Sequence, residues 1–416
     1  MKFIAKTLAG LEPVLVEELK SLGAENAHPG KRAVFFEGDM EILYRANLEL
    51  RTALRILVPI SEFKVRNEDD LYHKIGKIDW SEYMSVDDTL AVDAVTTSEV
   101  IRHSKFAALR VKDAIVDQFR RKYDKRPDVN TEFPTLRLNL HVGDQDVTLA
   151  LDSSGESLHK RGYRVDSVEA PINEVLAAGM ILLSGWQCDS DFTDPMCGSG
   201  TLPIEAAMLA YNIAPQINRQ NFGFMRWENF DKKLWAKVRE EAILGQVVFQ
   251  HNIYASDIDF KAVNSVGYNL EKAGMEGKVQ VSRERFENVL PRSESGILMM
   301  NPPYDERMEL DSVQDFYKGI GDTFKKNWAG HSAWIITSNM EAVKTVGLRP
   351  SRRIPLFNGK LECRFLKYEL YAGSKRVREE RGEMKDERGE MRDESGQIKA
   401  GSGKQGDENV GGDDDW

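Results

Sequence analysis

An acid closing a short apolar run, two glycines and a helix start are compressed into Asp194-Pro195-Met196-Cys197-Gly198-Ser199-Gly200-Thr201. Gly198 and Gly200 allow backbone that other residues adopt only under strain. A helix that starts directly after such a turn runs back along its own strand. Such a unit buries its faces only in a layer of parallel strands covered by helices. The neighbouring residues carry the required alternation. Pro171–Ser184 reads as a helix with Ile172, Val175, Leu176, Met180 and Leu183 on its apolar side. Phe192-Thr193 reads as a strand, Leu202–Tyr211 as a helix capped by Thr201, Val247–Ala255 as a strand and Phe260–Ala273 as a helix. Ile297–Met300 and Ala333–Thr337 are short apolar runs of the kind buried inside a parallel sheet. Asn358-Gly359 marks a hairpin between Ile354–Phe357 and Leu361–Tyr371.

The first 165 residues follow a different rhythm. Phe3-Ile4-Ala5, Ala33–Glu37 and Ala53–Ile60 read as strands, interleaved with helices at Glu12–Leu22 and Met40–Leu50. Residues 61–165 form a second α+β unit, with helices at Leu71–Ile75 and Phe106–Arg121 and strands at Thr89–Val95, Leu136–Val142 and Asp146–Asp152. The last two pair around Gly143-Asp144. In the longer helix Phe106, Leu109, Val111, Ile115, Val116 and Phe119 supply the expected apolar face. Neither unit offers a nucleophile with a base, so both read as binding modules. The expected boundaries are 1–60, 61–165, 166–372 and a tail at 373–416, whose charged quasi-repeat has too few large apolar groups to fold.

Composition narrows the function classes. No apolar run approaches the roughly 18 residues that cross a bilayer, and the first eleven residues lack a secretory pattern. Cys188, Cys197 and Cys363 form no CxxC pair, and the seven histidines show no ligand spacing. A reducing cytoplasm, no membrane contact and no metal are the expectation. The formal charge of −10 argues against a nucleic-acid partner only until its distribution is read. Val100–Arg126 holds nine basic and three acidic residues, a local net of +6, and local potential decides whether phosphates bind.

The chemistry lies in two motifs. Asp194, Cys197, Gly198, Gly200 and Thr201 form a turn whose glycines admit a ligand to the backbone and whose helix start presents free N–H groups. Asp257 ends the next strand, where an acid accepts both hydroxyls of a ribose; Asp259, two residues on, suits a helix cap. Asn301-Pro302-Pro303-Tyr304 follows the run Ile297–Met300, 107 residues after Asp194. The prolines stiffen the backbone and remove two donors. The Asn301 side-chain oxygen and the Pro302 carbonyl then accept from an exocyclic amine, and Tyr304 stacks on the ring. The pair suggests methyl transfer to the amine of a nucleobase.

At these residues the chain resembles class I S-adenosylmethionine-dependent methyltransferases. More narrowly, it is similar to the THUMP-domain bacterial 23S ribosomal RNA guanine-N2 methyltransferases. His159-Lys160-Arg161-Gly162-Tyr163-Arg164, Ala170-Pro171-Ile172-Asn173-Glu174, Asn212-Ile213-Ala214-Pro215, the stretch around Trp227 and the continuation of Asn301–Tyr304 to Arg307 extend the likeness over roughly residues 1–372. The resemblance implies an α/β, Rossmann-like methyltransferase domain preceded by α+β ferredoxin-like and THUMP units. It also implies S-adenosyl-L-methionine as cofactor and a structured RNA, ribosomal above all, as partner. Lys105, Lys112, Arg120 and Arg121 would touch its phosphates. Where many relatives hold adenine with an acid, Arg285 stands here, which leaves Phe286, Glu287 or Asn288 for that task. Some relatives carry a second methyltransferase domain; with none within this chain, one methylation is expected. An adenine-N6 target, a transfer-RNA guanine and a non-catalytic ribosome-assembly role are the competing readings.

Overall fold

The computed structural model describes residues 1–164, 172–303 and 310–372, with backbone alone at 310–312. Tyr304, the pair Glu306-Arg307, Ala170-Pro171 and the 373–416 tail lie outside the described residues.

The first half builds one eight-stranded sheet. Its strands are β1 (Lys2–Lys6), β2 (Glu25–Gly30), β3 (Ala33–Glu37), β4 (Arg55–Lys64), β5 (Thr89–Thr96), β6 (Asp128–Val129), β7 (Leu136–Gly143) and β8 (Asp146–Asp152), in the order β2-β3-β1-β4-β8-β7-β5-β6. The helices are α1 (Glu12–Ser21), α2 (Met40–Glu49), α3 (Glu68–Ile75) and α4 (Ser104–Tyr123). In β7, Leu136, Leu138, Leu140 and Val142 are all buried, the period of two that a half-covered strand requires. β4 crosses residue 60 without a break and pairs with β1 at one end and β8 along the rest. Pro59 removes a donor from that ladder, and the register slips between Pro59 and Ser61, where proline is tolerated inside a sheet. β2, with Pro29 and Gly30, has no local strand signature and forms only as an edge on β3.

The second half is a seven-stranded sheet in the order β11-β10-β9-β12-β13-β15-β14. Its strands are β9 (Asp191–Asp194), β10 (Ile253–Asp257), β11 (Gln280–Arg283), β12 (Gly296–Met300), β13 (Ser332–Thr337), β14 (Arg352–Asn358) and β15 (Leu361–Glu369). The first five in spatial order are parallel, and β15 and β14 pair antiparallel. Around it lie α5 (Glu174–Ser184), α6 (Thr201–Ala210), α8 (Phe260–Ala273), α9 (Leu310–Asn327) and α10 (Met340–Val343), while α7 (Lys232–Leu244) packs on α2 of the first half. Strand order reverses between β9 and β12, which opens a crevice at their carboxyl ends, the usual ligand position in such sheets.

Several expectations are corrected. The strand expected from Val247 starts at Ile253, leaving Val247 53% and Val248 77% exposed; an apolar run alone does not specify burial. α4 turns Ala107, Val111, Ala114, Ile115 and Phe119 inward, but Phe106 and Leu109 are 43% and 52% exposed. Those two lie off the 3.6-residue stripe set by the buried five. Thr201 does not cap α6: Gly200 holds the cap position at φ 86°, no side chain caps the helix, and Thr201 is its first residue. The Trp227 stretch continues into α7, whose Trp235 joins Tyr44, Phe222 and Phe224 in one aromatic cluster. That cluster fastens the insert onto α2 of the N-terminal half.

Candidate active site

The crevice at the carboxyl ends of β9–β13 is a cleft of about 1410 Å³. The turn after β9 forms its floor. Gly198 and Gly200 take φ 53° and 86°, the left-handed region that glycine enters without strain. A Cβ on Gly200 would lie 2.9 Å from Val266 Cγ1 of α8, so glycine is also what lets the turn sit against that helix. The Gly198 N–H donates to Asp257 Oδ2 at 3.0 Å, the Cys197 N–H to the Ser256 carbonyl at 3.0 Å, and Asn269 Nδ2 to the Ser199 carbonyl at 2.9 Å. The turn is thereby tied to β10 and α8.

Asp194 and Asp257 both line the cleft. Asp194 is buried, 1% exposed, and burial pushes its carboxyl well above the ordinary range, with the Asp257 charge adding to the rise. The Met196 N–H, 3.1 Å from Asp194 Oδ1, opposes it. Asp257 Oδ1 accepts the Asp259 N–H at 2.9 Å, so each of its oxygens holds one backbone donor and keeps a lone pair for a ligand. Asp259 caps α8 by accepting the Lys261 N–H at 2.9 Å. Two carboxylates facing one cleft favour a ligand that brings positive charge.

Asn301 and Pro302 continue directly from β12, and Asn301, Pro302 and Pro303 all line the cleft. Asn301 Oδ1 is buried with no hydrogen-bond partner among the described residues. A buried acceptor left unmade costs about 1–3 kcal/mol. An amine donor in the cleft recovers that cost.

Phe286 lines the same cleft and is buried against Phe324 and Trp328, with ring centroids 5.9 and 6.5 Å away. Glu284, Arg285 and Glu287 line it as well, so an acid stands one residue before Arg285, at the end of β11. Two wall segments escaped the sequence reading: Ser338-Asn339 after β13, and the Asn358-Gly359 turn of the β14–β15 hairpin. The NG pair did signal a hairpin, but nothing local signalled its place over the cleft.

His159–Arg164 is tied to α6. Arg161, fully buried, bonds Glu205 of α6 at 3.4 Å, and the Tyr163 hydroxyl donates to the same carboxylate at 2.9 Å. Arg164 donates to Thr201 Oγ1 at 3.0 Å and to the Ile172 carbonyl at 2.8 Å. On α4, Lys105, Arg120 and Arg121 are exposed, whereas Lys112 is half-buried and paired with Asp113 at 2.6 Å. Lys105, Lys112 and Arg120 share one helical stripe; Arg121 lies on the side where Tyr72 of α3 bonds Asp117 at 2.8 Å. Among the described residues no group of three His, Cys, Asp or Glu side chains is placed to hold a metal, and no helix is long and apolar enough to cross a membrane.

Comparison with known proteins places this geometry. Residues 2–57 match the RlmL ferredoxin-like domain, 65–152 the THUMP domain and 161–367 the RMKL-like methyltransferase domain. The ribosomal RNA large subunit methyltransferase K/L of Syntrophotalea carbinolica is 40% identical over 385 residues, covering 89% of this chain and 54% of that protein. The chain thus spans about half the length of the K/L relatives it matches. A Synechocystis sp. protein provisionally named an RNA methyltransferase is 38% identical over 371 residues, covering 89% of this chain and 97% of that one. The solved structure of SMU.472, provisionally a methyltransferase and complexed with SAH, superimposes with a TM-score of 0.80 at 30% identity, over 90% of this chain and 98% of that one.

Proposed function

The chain belongs to the RMKL-like methyltransferase family, and from that premise we propose that it methylates the exocyclic N2 amine of a guanine in large-subunit ribosomal RNA, in the cytoplasm. The observation that carries the reading is Asn301 Oδ1, a buried acceptor without a partner among the described residues, in the same cleft as the glycine turn.

S-Adenosyl-L-methionine fits the other end of that cleft, and a likeness to a structure complexed with SAH supports it. When bound it supplies an electrophilic methyl on a sulfonium, a positive charge matched to Asp194 and Asp257. In this reading the turn Cys197–Thr201 takes the amino-acid end, Asp257 the ribose hydroxyls, and Phe286 one face of the adenine, with Glu284 within the same wall. Asn301 Oδ1 and the Pro302 carbonyl accept from the target amine and turn its lone pair toward the methyl. No strong base is required, because orientation of a reactive pair supplies most of the acceleration. Tyr304 stacks on the flipped base. Residues 1–60 and 61–165 act as the RNA-holding module, with Lys105, Lys112, Arg120 and Arg121 on phosphates, and 166–372 as the catalytic domain.

The test is transfer from labelled cofactor to unmethylated total RNA, with nucleosides read by mass spectrometry and Asn301→Ala as control. N2-methylguanosine in the large rRNA, lost in the control with cofactor affinity retained, is the expected result. N6-methyladenosine overturns the base assignment, N2-methylguanosine confined to transfer RNA overturns the substrate, and no transfer with the cofactor tightly held overturns the catalytic reading.

A further inference from the structure

One wall of the cleft carries chemistry that the reaction just described leaves unused. β13 lies beside β12 in parallel register, Met300 opposite Ile335, and runs two residues further to Thr337, so the segments leaving the two strands are neighbours at the same edge of the sheet. Asn339 stands in the second segment and lines the cleft together with Asn301. Its placement is over-determined. Its N–H donates to Thr337 Oγ1 at 3.0 Å, and that hydroxyl is bonded to the Tyr317 hydroxyl at 2.8 Å. Its Oδ1 accepts the Ala342 N–H at 2.9 Å as the cap of α10. That bond also settles which way the amide faces: with Oδ1 committed to the helix, Nδ2 presents two N–H donors that have no partner among the described residues.

The cleft therefore offers a buried, unpaired acceptor on Asn301 and, on the half-buried Asn339, a donor turned away from the helix it caps. A base with an amine next to a ring acceptor complements that pattern. On guanine these are the N2 amine and N3, on one edge of the ring. We propose, resting on the reading of Asn301 as the amine clamp, that Asn339 is a substrate-binding residue that orients the base by donating from Nδ2 to the ring acceptor beside the target amine, N3 in guanine. Adenine (N6 beside N1) and cytosine (N4 beside N3) carry the same pair, so this arrangement orients an amino-bearing base and rejects one with no amine, which would leave Asn301 Oδ1 unmade.

Two variants separate recognition from helix capping. Asn339→Asp keeps a cap oxygen and replaces both donors with an acceptor. Asn339→Ser keeps a neutral cap without the amide. Each is compared with wild type for melting temperature, cofactor affinity, and kcat/KM on unmethylated large-subunit rRNA. The expected result is a fall in kcat/KM of about tenfold or more in both, with melting temperature and cofactor affinity unchanged. Full kcat/KM in Asn339→Asp at an unchanged melting temperature overturns the proposal. So does a loss of activity that merely tracks a fall in melting temperature, which would make Asn339 a helix cap alone. Failure of the underlying reading shows elsewhere, as wild-type protein that forms no N2-methylguanosine.

Discussion

Gly200→Ala tests whether the glycine turn is held by conformation and contact together. Gly200 sits at φ 86°, where an alanine costs about 1–2 kcal/mol more than a glycine. Its new Cβ would lie 2.9, 3.1 and 3.3 Å from Val266 Cγ1, Cγ2 and Cβ. Val266 is fully buried in α8 and, being β-branched in a helix, has one strongly preferred rotamer. It cannot swing aside, so the turn must move by a few tenths of an ångström, an overpacking cost of about 1–3 kcal/mol. Restriction of the unfolded chain returns about 0.4–1 kcal/mol. The sum is about 1–4.5 kcal/mol, or a melting temperature lower by roughly 2–18 °C for a cooperative unit of about 200 residues. The displaced turn also carries the Gly198 N–H away from Asp257, so cofactor affinity falls as well. Thermal melts and calorimetric titration with S-adenosylmethionine measure both effects. Adding Val266→Ala removes the two closest contacts, Cγ1 and Cγ2, but not the backbone strain, so the double variant should show a coupling of about 1–2 kcal/mol. A single variant that melts within 1 °C of wild type, or two substitutions that simply add, refutes the reasoning.

Asp194→Asn should stabilise the ligand-free protein at neutral pH while weakening cofactor binding. The folded carboxyl titrates above its unfolded value because of burial, so the native state holds the extra proton between those two values and stability drains away as pH rises through that window. The variant's advantage in melting temperature should vanish near pH 4, and an advantage that persists there contradicts the assignment. Tyr163→Phe removes the donor 2.9 Å from Glu205 Oε1, in a carboxylate whose Oε2 already has no partner; a loss of about 1–3 kcal/mol is expected in denaturant titration. Lys105→Ala with Arg120→Ala should weaken RNA binding uniformly across sequences. Together they should reduce the log–log salt slope by about 1.5, with methyl transfer at saturating RNA nearly unchanged. An unaltered slope would remove α4 from the RNA surface.

Much of the site was legible because its signals are local. Gly198 and Gly200 meet a backbone requirement that few other residues meet. Pro302 and Pro303 stiffen the chain wherever they stand, and the acid at the end of a short apolar run lies at a strand's carboxyl end. Element type followed equally well where apolar residues recur with a clean period, as in β7 or the helix Phe260–Ala273. Exposure was less legible. Phe106 and Leu109 have the composition of a core, yet only the neighbours that α4 meets decide which stripe is covered.

The order of strands belongs to the tertiary structure alone. Nothing near residue 198 in sequence indicates that its N–H will be held by Asp257, fifty-nine residues on. Nothing near Asn339 indicates that β13 will lie beside β12 and bring Asn339 to the same cleft as Asn301. The merging of two N-terminal units into one sheet through β4, and the docking of the Trp227 insert on Tyr44, are likewise long-range pairings. Periodicity, glycine and proline act within a few residues and so specify each element. The pairing of elements is chosen by which buried faces and hydrogen-bond edges fit across the whole chain, and that choice is made only when the chain folds.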